Sequence, residues 1–147
     1  MVLDKNVFTI RKACPEDAVE LHRLNEAFNG MGETTVEHVE ESLRNNPTEI
    51  VIVAESNGRL VGFACSQLFH SMCYDVEYCE VTELFVAEDF RRLGVARGML
   101  KVTEDAFRTI GVNHFQLFTR VDNLKAQALY ESSGYTRSNE VLYRKRP

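Results

Sequence analysis

Between Val81 and Leu100 the chain passes from an alternating hydrophobic pattern to a helical one across the turn Arg91-Arg92-Leu93-Gly94-Val95-Ala96. Tyr78 to Ala87 reads as a strand. Val95, Met99, Val102, Ala106 and Ile110 then mark one face of a helix that Gly111 closes. A strand feeding directly into a helix demands a sheet with helices packed on it. The turn also presents a helix N-terminus, whose unpaired N–H groups and partial positive charge suit a pyrophosphate. Gly94 and Ala96 leave room for the backbone to approach phosphate oxygens, and Arg91 and Arg92 add positive charge. The competing reading is an ordinary strand-to-helix connection with solvated arginines.

Two other phosphate loops are excluded. Gly94 is not followed by the Lys and Ser or Thr of a P-loop. Gly94-Val95-Ala96-Arg97-Gly98 does not carry the three glycines of the dinucleotide fingerprint.

The rest of the chain extends the same pattern. Val7 to Arg11 is a short strand. Pro15, Glu16 and Asp17 open a helix continued by Leu21, Leu24 and Phe28, and Asn29-Gly30 breaks it. Thr35 caps a second helix with Val36, Val39 and Leu43 inside, stopped at Asn45-Asn46-Pro47. Ile50 to Glu55 and Leu60 to Phe69 are strands joined by Asn57-Gly58, a hairpin turn signal. His70 to Asp75 is expected as loop. Phe115, Leu117 and Thr119 alternate as a strand, Val121-Asp122-Asn123 turns, and Ala126 to Ser133 is a helix closed by Gly134. Val141-Leu142-Tyr143 belongs to a last strand. The order β-α-α-β-β-β-α-β-α-β describes a mixed sheet with helices on its faces.

A length of 147 residues suits one domain, 1–147, around one core. The net charge of −5 argues against a nonspecific grip on nucleic acid. Cys14, Cys65, Cys73 and Cys79 form no CxxC pair and have no histidine at metal spacing, so no metal site is expected. Their scatter suits a reduced, cytoplasmic interior, and a catalytic cysteine is the lesser alternative. Met1 to Ile10 lacks the pattern of a signal peptide, and no apolar run is long enough to cross a membrane.

Arg91-x-x-Gly94-x-Ala96 after Thr82-Glu83-Leu84-Phe85-Val86 resembles the acetyl-CoA motif of the GNAT superfamily of N-acyltransferases. Asn123-x-x-Ala126-x-x-Leu129-Tyr130-x-x-x-Gly134-Tyr135 resembles the family's later motif, in the right order and at the right distance. The resemblance covers almost the whole chain. It implies an α/β (α+β) fold with a mixed, centrally splayed sheet of six to seven strands flanked by about four helices. The strands around Leu84 and Leu117 would begin paired and then part, admitting the pantetheine arm. Backbone groups of Leu84, Phe85 and Val86 would pair with that arm. Amides from Arg92 through Leu93, Gly94, Val95 and Ala96 to Arg97 would hold the pyrophosphate, and Asn123 would bond the arm or the phosphates.

The implied reaction moves acetyl from acetyl-CoA to an amine. It needs the amine deprotonated, the carbonyl oxygen stabilised and the leaving thiolate protonated. The resemblance gives Tyr130 the last task, against a core aromatic as the alternative. The Phe85 amide is the expected carbonyl donor. Glu83 and Glu80 are candidate bases, Glu83 preferred as nearer the reacting centre, with ordered water as the alternative. On a regular strand they face opposite sides, so sharing one pocket requires a bulge. Asp75, Glu77, Glu80 and Glu83 suggest a negative pocket for a cationic amine, against a solvated acidic edge. Phe28, Asn29 and Met31 would face the acceptor. These features imply a small cationic amine, polyamine- or aminoglycoside-like, as acceptor in a ternary complex. The alternatives are a peptide acceptor (a protein N-terminus or lysine) and a non-catalytic CoA-binding sensor. Val141 to Arg146 is expected to allow pairing across a homodimer.

Overall fold

The computed structural model describes residues 7–147, so Met1 to Asn6 of the stretch read for a leader lie outside the described residues. Strand β1, Thr9–Lys12, leads through a 3-10 turn at Pro15–Asp17 into helix α1, Ala18–Asn29. Proline at the start and acids in the first turn favour that entry. The Arg11 guanidinium grips Asp17 at 2.7 Å and Glu55 at 2.9 Å, tying the entry to the sheet. That grip holds the Asp17 carboxyl down at about 2. Helix α2, Val36–Asn45, is capped by the Thr35 hydroxyl, which accepts from the His38 amide at 3.1 Å.

Strands β2, Glu49–Ser56, and β3, Arg59–Ser71, join through Asn57 (φ 52) and Gly58 (φ 74). Both residues are left-handed, as the tightest hairpin turn requires. Strand β4, Tyr74–Val86, follows almost at once. The loop expected from His70 to Asp75 is therefore a projecting hairpin arm. Cross-strand pairs sustain it: Phe69 stacks on Tyr78 at 4.9 Å, and His70 meets Glu77 at 3.2 Å. Helix α3, Val95–Arg108, returns over the sheet to β5, His114–Leu117, and helix α4, Leu124–Ser132, comes last.

The sheet order is β1-β2-β3-β4-β5, antiparallel except for the parallel β4–β5 pair. Five strands form rather than six or seven. Val141, Leu142 and Tyr143 are not a strand and lie exposed. Among the described residues no helix is long and apolar enough to cross a membrane.

Two apolar layers sandwich the sheet. On one face Val95, Met99 and Leu100 of α3 are buried, packing Ile52, Ala54, Val61 and Ala64. The buried stripe continues through Thr103 and Phe107, whereas Ile110 lies beyond the helix and exposed. On the other face Leu21 and Leu24 of α1, with Val39 and Leu43 of α2, cover Val51, Val53, Leu60 and Phe63. Side chains alternate between the layers, so each residue's place in a strand fixes which face it serves.

Gly62 sits where three of these parts touch. A Cβ there would stand 2.8 Å from the Phe85 carbonyl oxygen and 3.1 Å from the Met99 methyl. The oxygen belongs to backbone and cannot swing aside. We expect Gly62→Ala to destabilise by about 1–3 kcal/mol, outweighing the ~0.5–1 kcal/mol gained by removing a strand glycine. Urea unfolding checks this; wild-type stability would mean that β4 shifts freely.

Candidate active site

Helix α3 starts at Gly94, held left-handed at φ 84, and no side chain caps its first turn. The first intrahelical bond runs from the Gly98 amide to the Gly94 carbonyl at 2.9 Å. The preceding amides therefore converge on the turn without intrahelical acceptors. A Cβ on Gly94 would meet no protein atom within 4 Å. The turn thus selects glycine first for backbone handedness, and the space before it is open. Arg92, at φ 63, is a second left-handed residue in the same turn. Val95 is buried, and Leu93 and Ala96 pack on the same core, so side chains anchor the turn from the protein side.

The arginines divide the work differently from the sequence expectation. The Arg91 Nε donates to the Val86 carbonyl at 2.9 Å, and its guanidinium lies 5.9 Å from the Phe85 ring centroid. Arg91 is thus folded against the end of β4 rather than projecting from the turn. Arg97 donates to the Ser132 carbonyl at 3.0 Å and the Ser132 hydroxyl at 2.7 Å. It ties the first turn of α3 to the last turn of α4. Arg92 stays exposed.

Beside this turn the sheet opens. β4 pairs with β5 from Tyr78–His114 to Val81–Leu117, whereas it pairs with β3 as far as Val86. Leu84 to Val86 therefore have a free edge. Opposed pairs in an antiparallel ladder alternate between hydrogen-bonded and non-bonded. The Ala87 amide donates to the Val61 carbonyl at 2.8 Å. It follows that the Phe63–Phe85 pair exchanges ladder bonds, and that Leu84 and Val86 direct N–H and C=O toward the opening. The Phe85 amide, expected as carbonyl donor, is turned into the sheet. The donors at this edge are the Leu84 and Val86 amides.

The face of β4 below that edge carries the acids. Register slips between Cys65 and Ser66, because Glu83 opposes Cys65 while Val81 opposes Ser66. Thr82 is the extra residue, its hydroxyl donating to the Cys65 carbonyl at 3.2 Å. Opposed residues share a face, and Cys65 and Gln67 lie two apart. The bulge therefore brings Glu83 and Glu80 to the same side. Asn29 lies beside Glu83, and Phe28 rests on Phe85 at 5.1 Å and Phe63 at 6.2 Å. Phe28 is packed yet 41% exposed, so it lines this face as well as filling it. Met31, by contrast, is almost fully exposed in the turn after α1.

Two residues that sequence reasoning missed complete this face. Glu49 opposes Gln67, which opposes Glu80, one row away from Val51, Cys65 and Glu83. The Glu49 carboxylate accepts from Gln67 Nε2 at 2.9 Å and from the Ser42 hydroxyl at 3.4 Å. Burial raises the Glu83 carboxyl above its ordinary range; the Asn29 amide opposes this, and the Glu49 charge adds to it. Among the described residues, Glu49, Glu80 and Glu83 have no ion-pair partner. Asp75 and Glu77 stand apart on the hairpin arm, where Glu77 is paired with His70. Cys65 and Cys79 stay thiols: burial, with Glu49 and Glu83, pushes Cys65 far up, and burial pushes Cys79 up to about 12. Among the described residues no cluster suits a metal ion.

Tyr130 lies on α4, lining a cavity of about 850 Å³ with Phe115 and Leu117 of β5, Gln127 and Tyr135. Its ring meets Tyr135 edge-on at 6.2 Å, and burial raises its phenol, which stays protonated at neutral pH. Asn123 caps α4, its side-chain oxygen accepting from the Ala126 amide at 3.2 Å. Only its NH₂ group remains to donate elsewhere. The structure thus gathers Glu83, Glu80, Asn29, Phe28 and Phe85 on one face, whereas Tyr130 lines a cavity beside β5 that none of these residues lines.

The profile of the Acetyltransferase (GNAT) family matches residues 16–135. Aminoglycoside N(6')-acetyltransferase type 1 of Stenotrophomonas maltophilia is 25% identical over 142 residues, spanning 95% of this chain and 93% of that protein. The solved aminoglycoside N-acetyltransferase AAC(6')-Iy in complex with CoA superposes with a TM-score of 0.83, 19% identity and 96% coverage of each chain. A ribosomal-protein-alanine N-acetyltransferase from Brucella melitensis superposes with a TM-score of 0.81 and 19% identity, over 95% of this chain and 99% of that one. At such identities the two superpositions speak for the fold alone, and enzymes with different acceptors share it. The open β4 edge, the uncapped turn and the matched profile agree: this chain belongs to the GNAT family of acetyltransferases, an N-acetyltransferase that takes its acetyl group from acetyl-CoA.

Proposed function

We propose that the chain acetylates a primary amine of a small cationic acceptor, polyamine- or aminoglycoside-like, by direct attack in a ternary complex. The observation that carries this reading is the bulge at Thr82, which sets Glu83 and Glu80 side by side without cationic partners. Unneutralised carboxylates beside an opening attract an ammonium group. A relative matching almost end to end is an aminoglycoside acetyltransferase, which supports the acceptor class.

The residues present fit acetyl-CoA. Amides from Arg92 to Arg97 would hold its pyrophosphate, in a turn with no competing cap. The Leu84–Val86 edge, with Phe85 directed inward, would take the arm as an added strand. Asn123 would donate through its NH₂ group. Acetyl-CoA supplies the thioester, whose C–S bond breaks as the N–C bond forms. Glu83 accepts the proton that the ammonium must lose; a raised carboxyl is the stronger base. Glu80 orients the amine from the neighbouring position. A Leu84 or Val86 amide donates to the carbonyl oxygen as charge grows there. Tyr130 holds its proton at neutral pH and delivers it to the departing sulfur.

The outer edge of β5 has no partner among the described residues, and Val141, Leu142 and Tyr143 are exposed near the chain end. Free edge and exposed apolar strand residues favour pairing of two copies. Light scattering is expected to give twice the chain mass, and deletion of residues 141–147 to give a monomer.

Thiol release measured across sisomicin, spermidine and a peptide with a free N-terminal alanine tests the acceptor class. Turnover is expected with the polycations, and turnover with the peptide alone would overturn the reading. Tyr130→Phe is expected to lower kcat by roughly 10²-fold with unchanged CoA affinity; an unchanged kcat removes its acid role.

Glu83→Gln is expected to lose roughly 10²-fold in kcat/KM. It should also raise the melting temperature at pH 7. The folded carboxyl lies above its unfolded value, so its protonated form stabilises the fold at low pH. That contribution is lost as pH rises through the folded value, and the charged form opposes folding at neutrality. Thermal melts at pH 4 and pH 7 read this, the gain expected at pH 7 only.

A further inference from the structure

Glu49 is remote from the motifs in sequence and enters none of the steps above. Its place in the sheet is nevertheless specific. It starts β2 on the face that carries Glu83, because Val51, two residues on, opposes Cys65, which opposes Glu83. Its carboxylate does not extend into solvent. Gln67 of the middle strand draws one oxygen inward at 2.9 Å, and Ser42 of α2 holds the other at 3.4 Å. Gln67 is itself held, its carbonyl oxygen accepting from the Thr48 hydroxyl at 3.2 Å. A neutral amide and a hydroxyl fix the carboxylate without discharging it, and among the described residues it has no ion-pair partner. Its charge therefore stays directed along the sheet toward β4.

We propose that Glu49 is a positioning residue for acetyl transfer, a fixed negative charge that strengthens Glu83 as proton acceptor across the central strand. The proposal rests on the reading of Glu83 as base. A like charge held near a carboxylate disfavours its ionised form and so increases its affinity for a proton. Distance alone would weaken the effect in water, but Val51 and Cys65, which pack in the apolar layer under α1 and α2, lie between the two and keep the local dielectric below that of water. The groups that face Glu83 are Glu49 from β2, the un-ionised Cys65 thiol from β3, Glu80 from its own strand and the neutral Asn29 amide from α1. Arg91, near the end of β4, is drawn off to the Val86 carbonyl and the face of the Phe85 ring. The Glu49 charge is held in place by its hydrogen bonds from Gln67 and Ser42.

The test is a ¹³C-carboxyl NMR titration of Glu83 in the free protein, compared with the pH profile of kcat/KM for sisomicin. In Glu49→Gln the remaining oxygen can still accept from Gln67 while the new NH₂ donates to the Ser42 hydroxyl, and the charge is gone. The Glu83 midpoint and the acid limb of the profile are expected to move to lower pH together, and the plateau to fall roughly 3- to 10-fold as the base weakens. Glu49→Asp, which keeps the charge, is expected to return both toward wild type. A Glu83 midpoint unmoved in Glu49→Gln overturns the inference. So does an equal shift in the Gln and Asp variants, which would trace the effect to packing. Glu83→Gln separates the two readings: a wild-type profile in that variant overturns the base role itself. Loss of the acid limb there, with Glu49→Gln unchanged from wild type, overturns the role of Glu49 alone.

Discussion

The site depends on β4 being held along one edge and released along the other. β3 pairs with it to Val86, but β5 lets go after Val81. The release has local causes. β5 has only four residues, and after it the chain turns at Arg120, whose guanidinium meets Asp122 at 3.0 Å. Asn123 then caps α4, and Arg97 fastens the far end of that helix to α3. The helices hold the chain after β5 away from β4, leaving the outward groups of Leu84 and the Val86 amide without a strand partner at an opening, while Arg91 takes the Val86 carbonyl. A sheet edge left unpaired is ordinarily an aggregation hazard, and a short one flanked by helices is a place for a strand-like ligand.

The two faces beside that opening are built to different electrostatic rules. Toward α3 the layer is apolar and close-packed, with Gly62 the point where β3, β4 and Met99 have least room. Toward α1 and α2 it carries Glu49, Glu80 and Glu83, carboxylates gathered on one face without an ion-pair partner among the described residues. Arg11, Arg23, Arg44, Lys101, Arg108 and Arg120 each hold an acid, and none serves Glu49, Glu80 or Glu83. Proteins retain such uncompensated charge where it has work to do, at some expense to stability.

What the amino-acid sequence revealed, and what it hid, divides along the range of the interactions. The α3 turn was legible because Gly94, the helical period and the strand before it are all local. So was the hairpin at Asn57-Gly58, where two adjacent residues take positive φ. The length of the β3–β4 arm was not, since Met72-Cys73 is no recognised turn signal. The direction of the Phe85 amide and the place of Glu49 also follow from strand register, which depends on pairings no local pattern encodes. The last apolar triplet illustrates the converse: Val141-Leu142-Tyr143 has strand composition, but composition without a neighbour makes no sheet. For Arg91 and Asn123, the motif gave the positions, while the structure gave their side chains local duties at the end of β4 and the start of α4.

The bulge at Thr82 makes the outer end of β4 a matter of parity. Were one residue removed there, every side chain from Glu83 to Val86 would exchange sides. Glu83 and Phe85 would meet the apolar layer under α3, and Leu84 and Val86 would meet the acids. The same count sets which amides look outward. In this stretch, then, a single-residue deletion is a heavier change than most substitutions, and kindred chains that conserve the arrangement must conserve the odd residue along with the letters around it.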